Sequence, residues 1–167
     1  NEAEALEELN SVLDETIRIY TRSDVPFGAF LSGGVDSSLV TAIMSKHLSD
    51  PVRTFTIAFR EEQHSEARYA AEVSRILGTQ HTETTVTFDM ALDKLQLFVR
   101  HFGEPFSDSS AIPTYFVSQA AAAHVKMVLS GDGGDELFGG YNSYADIYKT
   151  LSTPMLTHLA NAARPFI

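Results

Sequence analysis

Phe27-Gly28-Ala29-Phe30-Leu31-Ser32-Gly33-Gly34-Val35-Asp36-Ser37-Ser38 is the stretch from which the fold is read. Phe27 to Leu31 is a short apolar run, the mark of a buried strand rather than of an amphipathic helix. From Val35 to His47 the period changes: Leu39, Val40, Ile43 and Met44 recur on one side of a helix. Ser32-Gly33-Gly34 joins the two, so the stretch reads as strand, glycine turn, helix.

Working outward, the same alternation repeats. Upstream, Leu6, Leu9, Val12, Leu13, Ile17 and Tyr20 define a helix over residues 2–22. Its acids, Glu2, Glu4, Glu7, Glu8, Asp14 and Glu15, form a solvated face that suits a helix N-terminus. Downstream, Val52 to Phe59 predicts a second strand and Ser65 to Leu77 a helix ended by Gly78. Gln80 to Thr87 predicts a third strand and Asp89 to Phe102 one further helix. Ser109 to His124 predicts another helix, capped by Ser109 or Ser110, and Val125 to Leu129 a fourth strand. The remainder through Ala160 is read as helical. Strands alternating with helices imply a parallel sheet covered on both faces, with ligands bound beyond the carboxyl ends of its strands. In the order 3-2-1-4, the first and fourth strands are neighbours where the order reverses, and the loops that follow them share one crevice.

Composition bounds the function. The chain has 167 residues, 44% of them hydrophobic, enough for one domain with a core of its own. Lys+Arg 12 against Asp+Glu 22 gives a net charge of −10, which argues against tracking a nucleic-acid backbone. Cys is 0, so disulfides, thiolate metal sites and cysteine nucleophiles are excluded. No apolar run is long enough to span a bilayer and no signal peptide opens the sequence, so the expectation is a cytoplasmic protein without a membrane partner.

Two glycine-rich loops carry the chemistry. In Ser32-Gly33-Gly34-Val35-Asp36-Ser37-Ser38, glycines let the backbone approach an anion, and the amides of the new helix point into the same space. A bare carboxylate beside phosphates is repulsive unless a cation intervenes, and Mg²⁺ between Asp36 and pyrophosphate oxygens resolves the conflict. The loop is not a Walker loop, since no GxxxxGK[ST] occurs. The plain alternative is a tight turn with Asp36 as a first-turn acid. The second loop is Ser130-Gly131-Asp132-Gly133-Gly134-Asp135-Glu136, running on to Tyr141. Its carboxylates suit a metal contact or acid/base work, and its spacing fails the calcium-loop pattern. No histidine pair suggests a metal site, and without GxSxG there is no nucleophile elbow. Gly103 to Ser110 is either a polar helix start or a substrate-binding strip, and both readings stand.

Taken together, these motifs resemble the N-type ATP pyrophosphatases, the PP-loop superfamily. The string Ser130 to Tyr141, with Gly103-Glu104-Pro105, resembles more narrowly the synthetase domain of glutamine-dependent asparagine synthetases, over roughly Ile17 to Thr150. The resemblance implies a three-layer α/β/α fold of the adenine nucleotide alpha hydrolase-like kind, strand order 3-2-1-4, with the site between strands 1 and 4. It implies that Ser32, Gly33, Gly34, Asp36 and Ser37 hold the pyrophosphate of ATP, and that Leu31, Ile57, Ser130 and Gly131 surround adenosine. Asp135 and Asp132 are the implied catalytic acids, with Asp36 and Asp135 on the metal. Asp132 departs from the glutamate common in relatives by one methylene.

The implied reaction is adenylation of the aspartate side chain by ATP with Mg²⁺, followed by attack of ammonia. A relative adenylating another carboxylate, such as a β-lactam synthetase, would use the same loops, and a non-catalytic nucleotide-binding module is the contrasting class. The family's glutaminase domain begins with a cysteine that this chain lacks. Residues 1–167 are therefore expected to be one ATP-binding synthetase domain, truncated on the C-terminal side, whose parent chain carries the glutaminase domain. A homodimer is left open.

Overall fold

The computed structural model describes residues 1–60, 66–104 and 106–151. Residues Asn1–Gly131 form one compact unit and the chain from Asp132 onward a second, each described by itself.

The first unit is built on four parallel strands, β1 (Phe27–Phe30), β2 (Arg53–Phe59), β3 (Gln80–Val86) and β4 (Met127–Leu129), in the order β3-β2-β1-β4. The register pairs Phe30 with Phe55, Ala29 with Leu129 and Thr54 with His81. The helices are α1 (Glu2–Tyr20), α2 (Val35–His47), α3 (Ala67–Leu77), α4 (Phe88–Asp93), α5 (Leu95–Phe102) and α6 (Ala111–Ala122).

Alternation along the strands sorts the core into two layers. Ala29 joins Ile17, Ile43, Met44 and Val52, so one face of the sheet carries α1 and α2. Phe55 joins Ala121 and Val125, with Phe30, Val117 and Val128 packed against them, so the other face carries α6. This is the three-layer α/β/α arrangement and the strand order that the sequence implied. Among the described residues, no helix is long and apolar enough to cross a membrane.

Several elements differ from the sequence reading. The single helix expected over Asp89 to Phe102 is two, α4 and α5, broken at Lys94. There the Lys94 N–H donates to the Ala91 carbonyl at 3.1 Å, three residues back, which tightens the last turn of α4 and ends it. Neither Ser109 nor Ser110 caps α6 through its side chain. Ser110 holds the N-cap position, and its own N–H donates to Asp108 Oδ1 at 2.8 Å, which fixes the turn just before the helix. The fourth strand starts at Met127 rather than Val125, because Val125 is still bonded to Ala121 at the end of α6. Ala67 is the first residue of α3, and Ser65 lies outside the described residues.

The hydrogen bond from Ser110 holds the Asp108 carboxyl below the usual carboxylate range. A group whose native pKa is depressed stabilises the fold above its unfolded value and loses that contribution as pH falls. Amide exchange at the start of α6, corrected for its intrinsic rate, is expected to quicken as pH falls below about 4 in the native protein. The Asp108→Asn variant should not show that step.

In the second unit, the long helix expected through Ala160 is two helices, α7 (Gly134–Phe138) and α8 (Asn142–Leu151), separated by Gly139 and Gly140. The part of that expectation beyond Leu151 lies outside the described residues.

Candidate functional site

The order β3-β2-β1-β4 makes β1 the strand from which the chain departs in both directions, so the segment after it opens at the switch point of the sheet. Leu31, the first residue past β1, is 1% exposed and its N–H donates to the Phe55 carbonyl at 3.0 Å. Its side chain therefore belongs to the core. Phe30 pairs with Phe55, which places Ile57, half-buried, near the level of Ser32 at the carboxyl end of the sheet.

The Ser32 to Ser37 turn is held by its own hydroxyls. Ser32 N–H donates to Ser37 Oγ at 3.2 Å, the two hydroxyls lie 2.9 Å apart, and Gly34 N–H donates to Ser32 Oγ at 3.2 Å. Thr41, fully buried, donates to the Ser37 carbonyl at 2.8 Å and ties the turn to the second turn of α2. Helix α2 begins at Gly34 with no side-chain cap. The early amides of a helix lack intrahelical partners, so an uncapped start is a positive site awaiting an anion. Asp36 is half-buried in that first turn.

Two glycines allow the neighbours to close in. Gly33 has φ +84°, a conformation that side chains disfavour, and a Cβ there would lie 2.5 Å from the Ala70 N. The first turn of α3 thus seats directly on the loop. A Cβ on Gly131 would lie 2.7 Å from the Ser37 N and 2.9 Å from the Asp36 Cβ. The end of β4 therefore passes against the start of α2, and Ser130-Gly131 and Asp36-Ser37 meet, as the shared-edge reading requires of these residues.

Asp132 and Asp135 lie in the second unit. Asp132 is exposed, whereas Asp135 is half-buried in the first turn of α7, and its backbone carbonyl accepts from Gly140 N–H at 3.0 Å. A Cβ on Gly140 would run into the Asp135 carboxylate, so the absence of a side chain there makes room for the acid. Tyr141 donates to Glu136 Oε1 at 2.7 Å, and this bond pushes the phenol pKa up to about 12.

Among the described residues, no group of three or more His, Asp or Glu side chains gathers into a preformed metal cage. The donor set around α2, one carboxylate with uncapped amides and hydroxyls, fits Mg·ATP rather than a structural metal.

A cleft of about 580 Å³ lies between α5 and the start of α6, and no residue of the loop lines it. Its walls include Leu95, Phe98, Val99 and Phe102, with Phe106 stacked on Phe102 at 4.0 Å between ring centroids. The Gly103 to Ser110 strip contributes to this cleft, and Asp108 within it accepts from the N–H of Ser110, the N-cap of α6. Pro105 lies outside the described residues.

A parallel sheet ordered 3-2-1-4, with a glycine loop and an uncapped helix at its switch strand, defines the PP-loop α/β class. An NH3-dependent NAD synthetase from Campylobacter jejuni shares the fold, with a TM-score of 0.55 at 15% identity over 81% of this chain and 60% of that one. Residues 8–165 match the family described as Asparagine synthase, and this chain belongs to that family. It is 37% identical over 145 residues to asparagine synthetase [glutamine-hydrolyzing] 1 of Bacillus subtilis, covering 87% of this chain and 23% of the relative. It is 41% identical over 148 residues to a putative asparagine synthetase [glutamine-hydrolyzing] 2 of Methanocaldococcus jannaschii, covering 86% of this chain and 28% of that protein. The chain thus spans about a quarter of the length of these relatives.

Sequence reasoning found the loop residues but missed what presses on them. Tyr69 and Ala70 seat Gly33. The only signal of this in the sequence is a small residue, Ala70, in the first turn of a helix following the second strand.

Proposed function

We propose that this chain is the ATP-binding synthetase part of an amide-forming ligase that makes asparagine from aspartate and ammonia. The observation that carries the reading is the meeting of Gly131 with Asp36 and Ser37 at the uncapped start of α2, in a chain of the asparagine synthase family. The side-chain carboxylate of aspartate attacks the α-phosphorus of ATP, and the bond to pyrophosphate breaks. Ammonia then attacks the acyl carbon, AMP leaves, and a proton is released. Negative charge grows on the departing pyrophosphate, which the amides of Val35 to Ser37 at the start of α2 would receive, with the Ser32 and Ser37 hydroxyls turning from one another toward it. Asp36 and Asp135 are the residues that would hold Mg²⁺, which when bound neutralises phosphate charge. Leu31, Ile57, Ser130 and Gly131 would enclose adenosine, Leu31 through its backbone, and Asp132 and Asp135 would act near the reacting groups. A glutaminase domain elsewhere in the parent protein would supply ammonia.

The test is calorimetry with Mg·ATP and with adenosine. Asp36→Ala is expected to weaken Mg·ATP about tenfold or more while leaving adenosine nearly unchanged, about 1.4 kcal/mol lost from the phosphate end alone. Equal loss of both ligands would make Asp36 a fold residue. With Cys at 0, the chain by itself is also expected to show little or no glutamine-dependent amide synthesis. Glutamate released from glutamine by the pure chain would contradict this.

A further inference from the structure

A second polar system, unconnected with the nucleotide loop, runs through the β2–β3 ladder. His81 Nδ1 lies 2.9 Å from Thr54 Oγ1, which lies 2.9 Å from Thr79 Oγ1, and the Thr79 hydroxyl donates to Ser74 Oγ at 2.8 Å. Thr54 is 0% exposed and Ser74 6%. The other ring nitrogen, His81 Nε2, is buried without a hydrogen-bond partner.

Each hydroxyl has one hydrogen to give, which sets the direction of the whole chain. Thr79 gives its hydrogen to Ser74, so Thr54 must donate to Thr79. Thr54 then has none for His81, and the imidazole Nδ1–H is the donor at the head of the chain. The ring is neutral, with a bare nitrogen turned into the interior. A second proton on Nε2 would create a buried cation whose N–H meets no acceptor.

We propose that His81 is an acid-sensitive latch: neutral, it pins the start of β3 and the end of α3 to β2, and protonation at Nε2 releases them. The first turn of α3 seats on Gly33, so the latch bears on the whole of that helix, from Ala67 to Leu77. The groups around the ring leave the latch intact. Glu83, two residues along β3 on the same face, favours the cation, and burial opposes it more strongly, holding His81 below the ordinary histidine value. Thr54 and Ser74, from β2 and α3, are uncharged. Glu72 and Arg75 of α3 pair with one another at 2.7 Å on the surface, and Arg68 is engaged by Tyr69. Arg53 of β2 binds the His124 carbonyl on the opposite face of the sheet.

The sign follows from the lowered native pKa. Below about pH 6.5 the unfolded chain takes up a proton that the native state resists. The contribution is complete above that pH and is lost as pH falls towards the native value. The experiment combines an NMR titration of the His81 ring in the wild type with urea unfolding and rate-corrected amide exchange at about pH 7.5 and about pH 5.5. His81→Asn is the comparison, because its amide N–H replaces Nδ1–H and does not titrate. The wild type should titrate at His81 below the ordinary histidine value. Its urea midpoint should fall further than the variant's between the two pH values, and exchange in α3 should quicken only in the wild type. Titration at or above the ordinary value, or equal midpoint losses in both proteins, would overturn the latch. If His81→Asn does not fold, the wild-type titration still decides, together with Thr54→Val, which removes the acceptor of Nδ1–H and should raise α3 exchange at both pH values.

Discussion

Gly131→Ala is expected to weaken Mg·ATP binding at least ~10²-fold, about 2.7 kcal/mol. The added methyl would stand 2.7 Å from the Ser37 N and 2.9 Å from the Asp36 Cβ, closer than real carbon atoms approach such groups. What it meets is the first turn of α2, not the pliable end of a side chain, so either the end of β4 or the start of the helix must move. Relief of such overpacking costs about 1–3 kcal/mol of stability as well. On the proposed function, the binding loss would arise because charge-assisted hydrogen bonds from those amides to phosphate, each about 1.5–3 kcal/mol, depend on one geometry. Gly34→Ala is the matched control. A Cβ there meets only Ser32 Oγ, at 3.3 Å, and the backbone φ of −69° is ordinary. Calorimetry should find Gly34→Ala milder than Gly131→Ala in both stability and affinity, and the reverse order would contradict the account.

Asp135→Asn is expected to lower aspartate-dependent ATP–pyrophosphate exchange at least ~10²-fold, about 2.7 kcal/mol of transition-state stabilisation. The substitution keeps the volume of a half-buried side chain at the start of α7 and removes its charge, so the melting temperature should hardly change. Gly140→Ala should lower exchange too, because the new methyl would collide with the carboxylate and turn it away. Asp132→Glu should be the mildest change in this loop, since it lengthens an exposed acid by one methylene. The measurement belongs on the longest polypeptide that carries this chain. Parental exchange in Asp135→Asn, with a lowered melting temperature, would make the acid structural.

The parts of this molecule that were legible from sequence are those set by local period and turn chemistry. Helix α2 runs from Val35 to His47 as its periodicity predicts, and the apolar run before it is β1. The order 3-2-1-4 followed from the motifs and their resemblance. The misses are tertiary or depend on single hydrogen bonds. Nothing in the periodicity of Phe88 to Phe102 announces a break at Lys94, because the apolar pattern continues through it. Ser110 takes the N-cap position as expected but makes no side-chain cap bond, and its N–H is held by the Asp108 carboxylate instead. The β4 boundary moved because Val125 is held by Ala121 and packs beside Phe55. Gly131 was legible as a loop glycine, but its approach to Ser37 is a fact of the sheet. The partnership of His81 with Thr54 and Thr79 is likewise a matter of strand register, which no local pattern encodes.

The most direct test of the proposed function is Mg²⁺-dependent exchange of labelled pyrophosphate into ATP, with and without aspartate, on this chain and on a longer polypeptide containing it. The account predicts exchange that requires both Mg²⁺ and aspartate in the longer polypeptide, and that is abolished by Gly131→Ala. Exchange supported equally by another carboxylate, or tight Mg·ATP binding with no exchange in the longer polypeptide, would contradict it.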